Sequence, residues 1–366
     1  MNQHQTAERE AVRPALIISK HTISLYSLLL ERLMVGLAGE SIPIALVCPP
    51  DCDVESMAHG AVEVIRHPAI SLPLMTQQNR KKLFQHLADF KPTILHCLCE
   101  SKGSLTKQLS GQLDLPYLLT VNSIQKKWRQ LPISSKHCAK IITPAESIAA
   151  SIAKAHPRFA DRLEQVNIGT FVEETTNCFS VTGRLPSVIA AAHLGVEARL
   201  KNLLRAVKDI ATEGYQFLLF IVGIGRAETA LRKSITELGL SQIVIIIPEL
   251  KPWRSVLAAA DIFIQPAPSN DFNLLLLEAM SLGIAVAACR GGVDDLIIEG
   301  KTATVFDPND ELSIKKTLRE LFDRREFARK LATGAQQYLK ENHTVTAMVS
   351  SILRIYSQTQ QGQNPG

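Results

Sequence analysis

Short, uninterrupted apolar runs alternate with helix-patterned stretches along the first half of the chain, and the same alternation then starts again. PALIIS and IPIALVC flank a helical stretch from Tyr26 to Ala38. A run that is apolar at every position, rather than at every second one, suits a strand covered on both faces, which requires a parallel sheet with helices above and below. Gln78 to Asp89 has the period of an amphipathic helix, and Thr93 to Cys97, Tyr117 to Thr120 and Lys140 to Thr143 are further strand candidates. This alternation predicts an α/β doubly wound domain.

Between Val172 and Pro186 lies EETTNCFSVTGRLP, polar, turn-rich and without a period, as expected of a domain boundary. Strands are then predicted at Ser187 to Ala191, Phe217 to Val222, Ile243 to Ile247, Ile262 to Gln265, Ile284 to Ala288 and Thr304 to Phe306. Helices are predicted near Ala198 to Ala211, Glu228 to Leu238, Trp253 to Ala259, Leu274 to Leu282 and Glu311 to Leu321. The 366 residues accommodate two such cores. The expected division is a Rossmann-like domain over 1–175, a second over 176–342, and a C-terminal helix and tail over 343–366 that crosses back toward the first. Two facing domains of this kind would enclose a cleft at the carboxyl ends of their strands.

The longest apolar runs, FLLFIVGIG and IVIII, fall short of the roughly 20 residues that cross a bilayer, and the first fifteen residues lack an apolar secretory core. No membrane span is expected, and the cytoplasm is the expected compartment. The cysteines Cys48, Cys52, Cys97, Cys99, Cys138, Cys178 and Cys289 show neither a disulfide framework nor four-ligand metal spacing, so reduced thiols are expected. Of the net charge of +5, all the excess lies before Phe171, where 19 basic residues meet 14 acidic ones. The densest cluster is Lys126, Lys127, Arg129, Lys136 and Lys140 around Trp128. It is either an ordinary solvated face or a peripheral contact with anionic headgroups at the inner membrane face. No nucleic-acid motif accompanies it.

Two places carry chemistry. In FIVGIGRAETALRK, Gly223 and Gly225 sit between an apolar strand and a helix, where glycine permits a sharp turn and close ligand approach. In PSNDFNLLLLEAMSLGIAVAACRGG, the run Leu274 to Leu277 cannot all face one side, so its helix must be buried on most of its surface. Glu278 then occupies a position where its charge must be paired, hydrogen-bonded or bound to a ligand. A core-edge carboxylate and a ligand contact both satisfy that demand.

From about Ser187 onward, and more loosely throughout, the chain resembles a retaining glycosyltransferase of the GT-B fold, family 4 (glycosyl transferases group 1). The resemblance rests on five pieces in order: HLGVEARLKNLLRA after an apolar strand, IVGIG, LAAADIFIQPA, LLLLEAM, and Gly291-Gly292 followed by VDDLIIEGKTATVFDPND. It implies transfer of a sugar from a UDP- or GDP-linked donor to a hydroxyl of a glycan or lipid-linked acceptor, with retention and without a metal. No cofactor other than the nucleotide-sugar substrate is implied. The donor would lie on the second domain and the acceptor mainly on the first.

The family signature is a pair of glutamates separated by seven residues. By resemblance Glu278 is the later one, a ribose contact, while the earlier one corresponds to Asn270, with Asp271 beside it. The glycine usual before the leucine run is Asn273. The arginine and lysine that meet the donor diphosphate correspond to His193 and Ala198, leaving Arg199 as the best substitute. The implied catalytic set is Asn270, Asp271 and Arg199. The implied donor-binding set is Glu278, His193, Gly223, Gly225, Leu274 and Leu275. In the first domain the loop SKHTISLYS, Ser19 to Ser27, lacks the family's glycines, Leu98 and Asn122 stand where histidines are common, and His96 occupies a structural position.

These departures leave two readings. One is a hexosyltransferase, of the kind that builds polysaccharides, with rebuilt contacts. The other is a catalytically impaired homologue acting as partner subunit, or as a sugar- or nucleotide-binding regulator, for an active glycosyltransferase. A nicotinamide oxidoreductase is disfavoured because neither domain opens with the full glycine fingerprint. A nucleotide-sugar epimerase would need catalytic carboxylates and histidines across both domains that the sequence does not display.

Overall fold

A computed structural model describes residues 11–54, 62–67, 73–126, 130–191, 198–223, 228–247 and 253–362. The chain forms two compact units, one of Met1–Gly169 with Val345–Gly366 and one of Thr170–Thr344. The first passage between units therefore falls six residues earlier than the expected 175/176 boundary.

In the first unit, β1 (Pro14–Ile17), α1 (Lys20–Gly39), β2 (Ile44–Cys48), β3 (Val62–Arg66), α2 (Pro73–Phe90), β4 (Ile94–Cys97), α3 (Gly103–Leu113), β5 (Tyr117–Thr120), β6 (Cys138–Thr143), α4 (Glu146–Ala155) and β7 (Leu163–Gln165) follow one another. Their sheet is parallel, in the order β3-β2-β1-β4-β5-β6-β7. Ala15 pairs with Ala45 on one side and Leu95 on the other. Strands β1, β2, β4 and β5 are buried at every position, as their unbroken apolar runs require. The strand order reverses between β1 and β4, which is the topological switch point of the unit.

One sequence expectation is corrected here. SKHTISLYS is not a loop. Ser19 caps α1 and Thr22 completes a capping box: Ser19 Oγ accepts from Thr22 N at 3.2 Å, and Ser19 N donates to Thr22 Oγ1 at 3.3 Å. The helix begins six residues before the apolar period becomes visible at Tyr26, where its backbone is kinked. The extension also makes α1 20 residues long at a mean hydropathy of 1.3, enough by length and composition to cross a bilayer, contrary to expectation. Half of that window is buried inside the unit, with Leu30, Leu33, Met34 and Leu37 in the core.

The second unit runs through β8 (Ser187–Ala191), α5 (Ala198–Thr212), β9 (Leu218–Val222), α6 (Glu228–Glu237), β10 (Val244–Ile247), α7 (Trp253–Leu257), β11 (Ile262–Gln265), α8 (Leu274–Ser281), β12 (Ala285–Ala288), β13 (Thr304–Val305), α9 (Glu311–Asp323) and α10 (Arg325–Asn342). Its sheet is again parallel, ordered β10-β9-β8-β11-β12-β13. Asp261, buried just before β11, accepts from Phe179 N, Ser187 N and Arg184 and so joins the lead-in segment to the starts of β8 and β11. The last helix, α11 (Val345–Gln361), belongs to the first unit, where it packs on α1. At that contact Gly36 lies against Val349, leaving no room for a Cβ without displacing the valine side chain.

Candidate functional site

The second sheet reverses its order between β8 and β11, and its ligand crevice is expected at the carboxyl ends around that point. After β11 the chain makes the turn Pro266–Asn273 and enters α8. Asn273 is the cap: its Oδ1 accepts from Leu276 N at 3.1 Å, while its Nδ2 donates to Gln265 Oε1 at 2.8 Å. The residue that departs from the family's glycine thus starts the helix and ties it to the end of β11. Such a cap was legible from an asparagine before an apolar run. Leu274, Leu276 and Leu277 are buried and Leu275 half-buried, as the four-leucine run predicted.

The turn is held by its neighbours. Ser269 Oγ donates to Asp271 O at 2.7 Å, and Asp271 N donates back to Ser269 Oγ at 3.2 Å. From the loop after β12, Val293 N donates to Ser269 O at 2.6 Å, and a Cβ on Gly292 would overlap the Ser269 carbonyl. Glycine is required there by close backbone approach. Asn270 is exposed and Asp271 half-buried on this pinned turn. Gly223, after β9, has φ +148°, a conformation that favours glycine. Arg199 lies in the first turn of α5, whereas His193 and Gly225 fall outside the described residues.

Glu278 is fully buried, with both carboxylate oxygens engaged. Thr170 Oγ1 donates to Oε1 at 3.0 Å, and Arg254 Nη1 donates to Oε2 at 2.8 Å and to Ser281 Oγ at 3.1 Å. The other arginine nitrogen, Nη2, meets Glu173 at 2.7 Å. The charge is therefore paired inside the protein, one of the outcomes its position demanded. Sequence reasoning missed Arg254, Thr170, Glu173 and Ser281. Their only local signal was a basic residue at the start of a short helix, and a partnership across 24 positions has no sequence period.

In the first unit, Lys136 pairs with Asp114 and Lys140 lies 3.6 Å from Glu164, while Lys127, Trp128 and Arg129 fall outside the described residues. All seven cysteines are free and buried. His96 is buried among Tyr356, Thr120 and apolar side chains. Among the described residues, no three His, Cys, Asp or Glu side chains gather as a metal site.

This geometry occurs within a segment that matches a known family model: residues 181–338 match glycosyl transferases group 1. The segment is a group 1 glycosyltransferase domain. Beyond this domain, the chain is 25% identical over 287 residues to the sulfoquinovosyl transferase SQD2 of Arabidopsis thaliana, covering 70% of this chain and 55% of that protein. It is 25% identical over 232 residues to a GDP-mannose-dependent monoacylated alpha-(1-6)-phosphatidylinositol monomannoside mannosyltransferase of Corynebacterium glutamicum, covering 57% and 60%. The chain thus spans little more than half the length of these two relatives. Anabaena HepE, solved with UDP and glucose, superposes with a TM-score of 0.78 at 16% identity, covering 94% of this chain and 99% of that one. That likeness establishes the fold: two Rossmann-like units of GT-B type, the second carrying the group 1 domain.

Proposed function

We propose that the chain transfers a hexosyl group, with retention, from a UDP- or GDP-linked donor to a hydroxyl of a glycan or lipid-linked acceptor. The observation that carries this reading is the group 1 domain, with its pinned turn Ser269–Asn273 leading into α8. Transfer of this kind needs charge stabilisation on the departing diphosphate and accurate placement of the sugar. The backbone N–H groups at Leu274 and Leu275 open a helix and suit phosphate, with Arg199 and His193 adding cationic character and the glycines Gly223 and Gly225 allowing close approach. Asn270 and Asp271 supply hydrogen-bonding groups for sugar hydroxyls from a turn that cannot drift. Glu278 reaches a ribose only if Arg254 turns from it onto Glu173 alone.

In this reading the reaction is metal-independent and the protein is cytoplasmic, with the Lys126–Lys140 region touching the membrane face where a lipid-linked acceptor is presented. The names of the relatives support both donor bases and lipid acceptors: one is GDP-mannose-dependent and acts on a phosphatidylinositol mannoside, and HepE was solved with UDP.

A specific observation favours a second reading, a non-transferring partner of an active glycosyltransferase. Asn270 stands where the family has a glutamate, and Glu278 is already occupied. Calorimetric titration with UDP, GDP, UDP-glucose and GDP-mannose, followed by assay of sugar release and transfer to glycolipid vesicles, separates the two. Micromolar binding with turnover supports the transferase, and binding without turnover supports the partner. No binding by a folded sample removes the basis of both.

A further inference from the structure

A second reactive centre lies in the first unit, independent of the donor site. Loops from the carboxyl ends of β1 and β4 meet at that unit's switch point, where Leu98 N donates to Ile17 O at 3.0 Å. The β4 loop carries Cys99, and the β1 loop carries Ser19 and Thr22, the capping box of α1. Cys99 Sγ accepts from Ser101 Oγ at 3.5 Å, and the Thr22, Ser19 and Cys97 side chains also hydrogen-bond to it. Cys97 Sγ additionally donates to the Cys99 carbonyl at 2.9 Å. The first turn of α1 contains no acidic residue, so the positive end of a 20-residue helix is not offset by a carboxylate of its own there.

We propose that Cys99 is a covalent modification site, a thiolate nucleophile at the β1/β4 switch point that takes small soft electrophiles, peroxide foremost. Four side-chain donors and a helix N-terminus are the surroundings that stabilise a thiolate. The hydrogen bond from Cys97, and then those from Thr22, Ser101 and Ser19, act against burial and bring the Cys99 thiol down to about 5. Burial pushes the other six thiols up, Cys48 to about 11 and Cys138, Cys178 and Cys289 to about 12. With peroxide, the Cys99 sulfur attacks one oxygen and the O–O bond breaks. The departing hydroxide takes a proton to become water. Sulfur is oxidised by two electrons to the sulfenic acid, and the peroxide is reduced. The residue is 8% exposed, enough for a small oxidant and restrictive for a bulky one.

The full chain, treated with hydrogen peroxide in the presence of dimedone and mapped by peptide mass spectrometry, tests this assignment. Dimedone should accumulate on Cys99 at least roughly tenfold faster than on any other cysteine. Labelling of Cys99 no faster than the other six overturns the proposal. Cys97→Ala, checked for folding by circular dichroism, should slow the reaction several-fold, and Ser101→Ala, at an exposed position, should slow it less. An unchanged rate in both folded variants overturns the role given to the surrounding donors.

Discussion

The Nδ1 atom of His96 lies 2.8 Å from the hydroxyl of Tyr356, joining β4 to the C-terminal helix across 260 positions of sequence. The other ring nitrogen lies 2.8 Å from Thr120 Oγ1 in β5, and the two rings meet edge to face at 5.7 Å. Both residues are fully buried, and burial pushes the imidazole down to about 3. A neutral histidine with both nitrogens partnered is a structural clamp. It is the physical reason the last helix has a fixed place on the first unit.

Replacing Tyr356 by Phe removes one partner and leaves a buried ring nitrogen unsatisfied. The expected cost is about 1–3 kcal/mol, read as a lowered urea midpoint at unchanged slope. An unaltered midpoint would mean the hydrogen bond adds nothing to stability.

The same histidine sets a pH dependence. Its folded pKa lies below the ordinary 6.5, so the unfolded chain binds the extra proton and stability falls with pH from about 6.5 toward about 3. The limiting slope is about 1.4 kcal/mol per pH unit. Between pH 6.5 and 5, where most carboxylates remain ionised, His96→Gln should show a flatter profile than the parent. His67, also lowered by burial, contributes to both. Parallel profiles would contradict the assignment.

Glu278→Gln deprives Arg254 of a fully buried partner while Glu173 remains to it. Removing one side of a buried pair costs about 3–5 kcal/mol, and the isosteric amide should fall at or below the lower end. Equilibrium denaturation measures this directly. Paired with nucleotide titration, it separates two roles: lost stability with binding retained marks a core pair, and lost binding in a stable variant marks a ribose contact.

Gly292→Ala places a methyl against the Ser269 carbonyl, so the loop after β12 must leave the turn before α8. The expected cost is about 1–3 kcal/mol from overpacking and backbone displacement. Donor affinity should fall more than stability alone explains, because Asn270 rides on that turn. Full nucleotide-sugar affinity in the variant would show that the turn does not hold the donor.

The sequence by itself determined the layer architecture and most of the strands, because a covered parallel sheet demands apolar residues at every position and that demand is local. The four-leucine run likewise announced that α8 would be buried. The start of α1 was legible only in its capping residues, Ser19 and Thr22, since its first turn carries no apolar period. Edge strands β3 and β7 escaped because VEVIR and LEQ are only partly buried and carry no unbroken run. What tertiary structure alone decided is who meets whom. Arg254 takes Glu278, Tyr356 takes His96, and the hydroxyls of Ser19 and Thr22 gather at Cys99. Those partnerships depend on where distant elements are packed, and burial then makes each unmet charge or hydrogen bond costly enough to fix the pairing.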